Sequence, residues 1–147
     1  MTEIEIGRSK RAINGFAFDD IAIVPTRRTR DPRDVSTSWS IDAFQFEMPV
    51  IAAPADSAMS PATAIELGKL GGLGVLDLEG LWTRYEDPTQ QLAEIAAAKD
   101  EDATAVLQRV YSKPVQAELI EARLGEIRAA GVTVAGALSP QRTAEFA

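Results

Sequence analysis

The chain has 147 residues; 46% are hydrophobic and 25% are charged, a composition typical of a globular protein with a packed core. It contains no cysteine and no histidine, which excludes disulfides, thiolate metal sites and Ser-His catalysis within these residues. The net charge of −7 argues against a general nucleic-acid binder, and no apolar run reaches the length of a membrane span. We therefore expect a cytoplasmic protein that binds neither nucleic acid nor membrane.

The N-terminal residues predict an arm followed by a turn. Met1–Asn14 is polar and mixed in charge, so we expect a mobile or surface-hugging arm there. In Phe16–Pro25 the acidic pair Asp19 and Asp20 precedes a short apolar run. The pair is either two carboxylates for acid–base chemistry or cation binding, or a turn or cap before a strand, and the second interpretation is the simpler one.

A cluster of basic residues follows among threonines, aspartates and prolines. Guanidinium groups in such a cluster can contact a phosphate or a nucleotide. The simpler interpretation is a solvated loop in which Asp31 and Asp34 balance the charge. The cluster consists of Arg27, Arg28, Arg30 and Arg33.

The segment Val35–Asp42 alternates in polarity with a period of two, which predicts a half-exposed strand. Phe44, Phe46 and Met48 continue the alternation. We expect a small antiparallel layer here, before the main βα units. The predicted apolar side consists of Val35, Thr37, Trp39 and Ile41.

Residues 48–80 predict a strand, a helix and a second strand. Pro49–Ala53 and Leu73–Leu78 are short apolar runs, as in parallel strands that are buried on both faces. Ser60-Pro61 starts the helix between them, since serine caps free N–H groups and proline fits the first helical position. Gly71-Gly72 is placed to end that helix. The order is that of a βαβ unit, and its loops are the place for a site.

Beyond residue 80 the pattern favours helices and one further strand. Asp87-Pro88 starts a helix, with Gln90 in a position that resembles a capping box. Asp100–Asp102 is expected to break that helix in an acidic loop. The later predictions are Thr104–Tyr111 as strand or helix, Lys113–Ala130 as an amphipathic helix that ends at Gly131, and Val132–Leu138 as a buried strand.

One short pattern recurs in the chain. Ala58–Leu67 (AMSPATAIEL) resembles Ala137–Phe146 (ALSPQRTAEF). A repeated strand-to-helix joint is expected of βα architecture. The second copy runs into the last residue within two helical turns, so we expect the chain to be a piece of a longer protein.

Polar residues follow both predicted strands of the βαβ unit. Asp56 and Ser57 lie where a βα loop presents a ligand contact, or else Asp56 caps nearby backbone N–H groups. Asp77 and Glu79 lie at the end of the second strand, and there a cap is the favoured interpretation. The glycines at 71, 72 and 74 lack the G-x-G-x-x-G spacing and precede a strand, so they predict a helix end and a turn. The residues alone predict an α/β domain without assigning it a chemistry.

Three stretches taken together resemble the IMP dehydrogenase / GMP reductase family: FAFDDIAIVP, DVSTSWSID and MPVIAAPADSAMSPATAIELGKLGGLGVLDLEG. The family pattern is F-D-D-hydrophobic-P in the first. In the last it is P-hydrophobic-S-A/S-x-M-D-T, followed by a helix and G-G-I/L-G-V. The sequence is most similar to the actinobacterial and cyanobacterial IMP-dehydrogenase-related branch, which lacks the regulatory CBS domains. The resemblance runs from about Gly15 to the last residue.

The resemblance implies a partial TIM barrel, that is, the first strands of a (β/α)₈ barrel preceded by an N-terminal β segment. Residues 1–47 would form the arm and β segment, and residues 48–147 the first βα units. A complete barrel needs roughly 250 residues. Members of the family assemble as tetramers, so a homotetramer is implied for the parent protein.

The resemblance also implies a reaction at purine C2 of a nucleoside monophosphate. The first possibility is oxidation of IMP with NAD and water to XMP and NADH. The alternatives are an NADPH-dependent reductase of GMP or XMP, and a nucleotide-binding remnant without catalysis. The family's catalytic cysteine lies beyond the third barrel strand, so no catalytic residue and no metal ligand is expected in this chain.

For the substrate, the resemblance implies a contact in the loop after the first strand. Ala53 replaces the family's serine, and Ala55 replaces the methionine that stacks near the base. Asp56 and Ser57 match the family's Asp-Thr. The two replacements remove a hydroxyl and a flat apolar contact, and they keep open a divergent activity such as reduction of a purine monophosphate.

Overall fold

The computed structural model describes residues 3–5, 8, 11–13, 15–24 and 31–146. These residues form a mixed α/β structure that includes a parallel sheet. The chain divides into two compact units, residues 1–36 and 37–147, which are described separately. The predicted boundary between residues 47 and 48 concerns where a barrel would begin, and it stays a prediction.

The first unit contains two short strands and two turns. β1 (Glu3–Glu5) pairs antiparallel with β2 (Arg11–Ile13), so these residues form a short hairpin, and the mobile or surface-hugging arm stays a prediction. Phe18–Asp20 forms a 3₁₀ turn in which Asp20 Oδ2 accepts a hydrogen bond from the N–H of Ala17 at 2.9 Å. The turn interpretation of the acidic pair is confirmed, although residues 21–24 do not form the expected strand.

Arg33 is the one member of the arginine cluster within the described residues; Arg27, Arg28 and Arg30 lie outside them. Its Nη2 lies 2.8 Å from Asp31 Oδ2, and both side chains are exposed. The Arg33 side chain and N–H hold the pKa of Asp31 below its usual value. For Arg33 the structure therefore agrees with the charge-balanced loop.

The second unit opens with a hairpin of β3 (Trp39–Ile41) and β4 (Phe44–Phe46), which confirms the predicted antiparallel layer. The strand is shorter than predicted: it begins only at Trp39, which pairs with Phe46 at the end of β4, and it ends before Asp42, whose φ of 51° turns the chain back. The rings of Trp39 and Phe46 stack with centroids 4.7 Å apart. The N–H groups of Glu47 and Met48 both donate to the carbonyl of Gly71, which joins the hairpin to the sheet unit.

The main sheet is parallel, with strand order β5 (Ile51–Ala52), β6 (Leu73–Asp77), β7 (Ala135–Ala137). Ala52 lies opposite Gly74 and Leu76 opposite Gly136. All three strands were predicted, and each is shorter than its apolar run.

Helix α1 (Pro61–Lys69) connects β5 to β6 as predicted. Ser60 Oγ accepts a hydrogen bond from the N–H of Thr63 at 3.0 Å, and Pro61 occupies the first turn. Gly71 follows with a φ of 87°, which glycine adopts without strain. The start and the end of this helix are therefore set by local chemistry.

Three helices separate β6 from β7: α2 (Thr89–Ala97), α3 (Asp100–Val110) and α4 (Ala117–Ala129). The predicted break exists, but it lies at Ala98-Lys99, and the acidic loop predicted for Asp100–Asp102 is wrong: these acids form the first turn of α3, where carboxylates favour the positive end of the helix dipole. The ambiguous Thr104–Tyr111 is helical as far as Val110. Helix α4 begins later than predicted, beyond Pro114.

Two predicted helix starts differ in detail from the structure. Before α2, Asp87 Oδ1 accepts hydrogen bonds from the N–H and hydroxyl of Thr89 instead of forming a capping box with Gln90. At the second Ser-Pro joint, the carbonyl of Ser139 accepts from the N–H groups of Arg142 and Thr143, and α5 (Thr143–Phe146) begins four residues after the serine.

The core lies between β6 and the helices α1 and α4. Ile120 and Ile127 project from α4 onto it, as the amphipathic pattern predicts. None of the helices in the described ranges is long and apolar enough to cross a membrane. The buried cluster consists of Met59, Ala64, Leu76, Leu78, Ile120 and Ile127.

Candidate functional site

A cleft of about 730 Å³ lies beyond the carboxyl ends of β5 and β6; we call it the carboxyl-end cleft. One wall comes from the loop that follows β5 and from the last residue of β6. The other comes from α2, α3 and the residue that ends α3, together called the α2–α3 pair (residues 89–111). The lining residues are Pro54, Ala55, Asp56, Ser57 and Asp77 on the first wall and Leu92, Ile95, Ala96, Leu107 and Tyr111 on the second.

Three of the four predicted substrate residues line this cleft: Ala55, Asp56 and Ser57. Ala53 is exposed and is not part of the lining. The carbonyl of Ala53 accepts the N–H of Ala55 at 2.9 Å, and the carbonyl of Ala55 accepts the N–H groups of Ala58 and Met59. The loop is thus a tight hydrogen-bonded turn, and the role of its side chains toward a substrate stays a prediction.

Asp56 connects three separate segments of the chain. Its Oδ2 accepts hydrogen bonds from the N–H of Leu81 at 2.8 Å and from the hydroxyl of Tyr111 at 2.6 Å. Its Oδ1 is buried and has no hydrogen-bond partner among the described residues. This oxygen lies against Gly80, where an added Cβ would be 2.4 Å away from it. Asp56 does accept a backbone N–H, but from a distant loop and not from its own turn.

Tyr111 is held as a hydrogen-bond donor. Burial, the hydrogen bond to Asp56 and the charge of Asp56 raise the pKa of the Tyr111 phenol. The guanidinium of Arg84 lies 5.7 Å from the centre of the ring. The phenol therefore stays protonated at neutral pH and donates to the carboxylate.

The end of α3 is anchored to the loop after β6 by two further side chains. Arg84 donates from Nε to the carbonyl of Glu79 at 3.0 Å and from Nη1 to the carbonyls of Tyr111, at 3.0 Å, and Lys113. The Tyr85 hydroxyl donates to the carbonyl of Val110 at 2.8 Å. Analysis of the sequence missed Arg84, Tyr85 and Tyr111. The aromatic and basic residues that soon follow the predicted second strand were a signal that could have identified Arg84 and Tyr85.

Asp77, the last residue of β6, and Glu79, in the loop after it, have different roles. Asp77 Oδ1 accepts the N–H of Glu79 at 2.9 Å, which confirms the predicted cap. Burial, together with the charges of Asp56 and Glu79, raises the pKa of Asp77. Glu79 Oε2 accepts the N–H of Ser139 at 2.6 Å, and this hydrogen bond lowers the pKa of Glu79. Glu79 thus links the loops that follow β6 and β7.

The cleft can accept hydrogen bonds and can cover a flat apolar group. Among the described residues that line it, the charged ones are the carboxylates of Asp56 and Asp77, and none is a lysine or an arginine. The described residues hold no group of three or more acidic, cysteine or histidine side chains that could bind a metal. The glycines at 71 and 72 precede β6 and lie at its amino end, whereas the cleft lies at its carboxyl end. These glycines therefore do not form a pyrophosphate-binding loop for a dinucleotide in the cleft.

Relatives of known sequence match nearly the whole chain. A relative from Mycobacterium tuberculosis, described as an uncharacterized oxidoreductase, is 48% identical over 143 residues, which cover 94% of this chain and 38% of that protein. A similarly described protein of Mycolicibacterium smegmatis is 46% identical over the same shares. An inosine-5'-monophosphate dehydrogenase of Thermoplasma acidophilum is 26% identical over 67% of this chain and 19% of its own length. The chain spans about 38% of the length of the oxidoreductases that it matches.

A solved structure and a domain family complete the comparison. The crystal structure of an IMP dehydrogenase/GMP reductase-like protein from Corynebacterium glutamicum matches with a TM-score of 0.80 and 41% identity, over 97% of this chain and 40% of that one. The domain family described as IMP dehydrogenase / GMP reductase domain matches residues 15–140. The resemblance found in the sequence is thereby confirmed, and the chain belongs to the IMP dehydrogenase / GMP reductase family.

Proposed function

We propose that this chain is the N-terminal part of an oxidoreductase that acts on purine nucleoside monophosphates. In this proposal β5, β6 and β7 are the first three strands of a (β/α)₈ barrel. Their parallel order, with α1 packed on β6 and α4 packed on α1, supports it, as does the match to oxidoreductases of the family. The remaining strands would come from residues that correspond to the unmatched part of the relatives.

The observation that carries the proposal is the position of the carboxyl-end cleft. Barrel enzymes bind their substrates at the carboxyl ends of the strands, in the loops that lead into the helices. The cleft lies there, and Ala55, Asp56 and Ser57 line it in the loop that the family uses for the nucleotide.

The charges of the cleft select one end of such a nucleotide. Among the described lining residues, a phosphate group would meet the carboxylates of Asp56 and Asp77 without a lysine or arginine to balance its charge. The half-buried side chains of Leu92 and Ile95 suit a flat ring instead. We therefore place the base side of the nucleotide toward this cleft and the phosphate on residues outside it.

The first candidate reaction is oxidation of IMP with NAD and water to XMP and NADH. The second is reduction of GMP or XMP with NADPH, and the alanines at positions 53 and 55 favour keeping it, since they replace two residues of the standard IMP loop. The covalent step of either reaction needs a cysteine from outside this chain, which contains none. The cofactor, NAD or NADP, and a homotetrameric assembly belong to the same proposal.

The test uses the full-length protein in an absorbance assay of the nicotinamide. IMP with NAD should produce NADH in the first case, and GMP or XMP should consume NADPH in the second. Calorimetry with IMP, GMP and XMP accompanies the assay. Binding without turnover would indicate a nucleotide-binding remnant in place of an enzyme, and a protein that binds none of the three would overturn the proposal.

A further inference from the structure

The α2–α3 pair is attached to the rest of the structure at one end. Val110 is the one buried residue among the described residues of these two helices. The pair faces the carboxyl-end cleft with side chains that are half-buried or exposed, such as Ile95 and Leu107. With so little apolar burial in the pair, the polar contacts at the end of α3 contribute much of what holds it in position.

Two tyrosines make contacts of the same kind at this end. The Tyr85 hydroxyl donates to the carbonyl of Val110 at 2.8 Å, and the ammonium of Lys113 lies 4.5 Å from the centre of its ring. The Tyr111 hydroxyl donates to Asp56 at 2.6 Å, beneath the guanidinium of Arg84. Both fasten the end of α3, but only Tyr111 reaches the loop after β5.

Asp56 has few alternatives to this contact. Its Oδ2 has two donors, Leu81 N–H and Tyr111 Oη, and its Oδ1 is buried without a described partner. Removal of the Tyr111 hydroxyl would leave a half-buried carboxylate with a single donor. A carboxylate with too few donors is stabilised by turning toward water, and this rotation would displace the backbone of the turn around residue 56.

We infer that Tyr111 is a positioning residue for nucleotide binding: by holding Asp56, it sets the turn of residues 53–59 that presents Ala55 and Ser57 to the carboxyl-end cleft. The inference rests on the proposed function, because the ligand it names is a purine nucleoside monophosphate. Tyr111 acts through Asp56 and needs no contact with the nucleotide itself. The hydroxyl group of Tyr111 in this way couples the α2–α3 pair to the turn of residues 53–59.

The experiment compares Tyr111→Phe with Tyr85→Phe in the full-length protein. Each removes one hydroxyl that anchors the end of α3, so both should lower the melting temperature. Affinity for IMP, GMP and XMP is measured by calorimetry, and hydrogen exchange is followed at the amides of Ala58 and Met59. For Tyr111→Phe we expect binding of whichever nucleotides the wild type takes to weaken about tenfold, with faster exchange at both amides. Tyr85→Phe should leave the affinity and the exchange at their wild-type values.

The double variant Asp56→Ala with Tyr111→Phe shows whether the effect passes through Asp56. If it does, the double variant binds no more weakly than Asp56→Ala alone, because the hydroxyl has no partner left to hold. Additive losses would overturn the inference.

Two other results would overturn it: wild-type affinity in Tyr111→Phe, or equal losses in the two tyrosine variants, which would make Tyr111 a structural anchor only. A wild-type protein that binds none of the three nucleotides overturns the proposed function. That result comes from the wild type alone, and the exchange rates still decide whether Tyr111 holds the loop.

Discussion

Helices α1 and α2 have nine residues each, yet they are held in opposite ways. Helix α1 buries Pro61 and Ala64 against the sheet and is capped by Ser60. Helix α2 buries none of its described residues and faces the carboxyl-end cleft. The βα unit of α1 and β6 is thus a packed scaffold, whereas the α2–α3 pair rests on hydrogen bonds at one end. The candidate site lies where the scaffold and the pair meet.

The difference indicates which part of the structure can open locally at a low cost in free energy. Apolar burial contributes about 25 cal/mol per Å² and is spread along the whole length of α1 and β6. A net hydrogen bond contributes about 1 kcal/mol, and those of the pair are concentrated near Tyr111. We expect the pair to open locally at a lower free energy than the scaffold, as parts of a protein that admit ligands commonly do.

Two leucines, one in each region, give the largest predicted contrast. Leu76 in β6 is 0% exposed, and Leu107 in α3 is 41% exposed. Leu76→Ala should lower the free energy of unfolding by about 2–5 kcal/mol, since it removes contacts and leaves a cavity. Leu107→Ala should lower it by about 1 kcal/mol or less. Urea denaturation of the full-length variants measures both values, and similar losses at the two positions would remove the distinction between scaffold and pair.

Two glycines test the packing of the scaffold, because replacing each with alanine should change the stability in opposite directions. At Gly74 an added Cβ would lie 2.7 Å from Ala64 Cα and 3.1 Å from Met59 Sδ, so Gly74→Ala should push α1 from the sheet and cost about 1–3 kcal/mol. At Gly125, inside α4, nothing lies within 4 Å, and Gly125→Ala should stabilise by about 0.5–1 kcal/mol. Thermal unfolding of both variants checks the signs. A neutral Gly74→Ala would mean that α1 and β6 are not in close contact.

The scaffold could be predicted from the sequence because its rules are local. Ser60, Pro61 and Gly71 lie within one helix length of each other, and each has a conformational preference that fixes a helix end. The error at Asp100–Asp102 is of the same local kind. Acidic residues favour both loops and the first turn of a helix, and the apolar spacing that follows was too weak to decide between them.

The candidate site was predictable only in part. Asp56 and Ser57 were predicted because the loop after a parallel strand is where a βα unit presents a ligand contact. Tyr111 was missed because its partner, Asp56, lies 55 residues away, and no spacing rule connects a helix end to a loop at that distance. The polar anchors of the α2–α3 pair are contacts between distant segments, and they become visible only when the chain is folded.

The charges of Asp77 and Glu79 should have the smallest effect on stability, and the two should change it in opposite directions as the pH rises. The pKa of Asp77 is raised above 3.8 by burial, so Asp77 favours the folded state at low pH. This contribution is lost as the pH rises from 3.8 through the raised value. The pKa of Glu79 is lowered below 4.5 by the Ser139 N–H, so its contribution is present above pH 4.5 and is lost as the pH falls through the lowered value.

Neutral variants of these two acids should therefore diverge in stability as the pH changes. Relative to the wild type, Asp77→Asn should gain stability as the pH is raised from about 3 to about 7, and Glu79→Gln should lose stability over the same range. Both variants keep an oxygen that can accept the backbone N–H, so the comparison isolates the charge. Unfolding midpoints measured across this range decide the matter. If the two variants showed parallel pH profiles, Asp77 in the cleft would be no less hydrated than Glu79 in the loop after β6. That result would weaken the view that a partly dehydrated carboxylate faces the ligand.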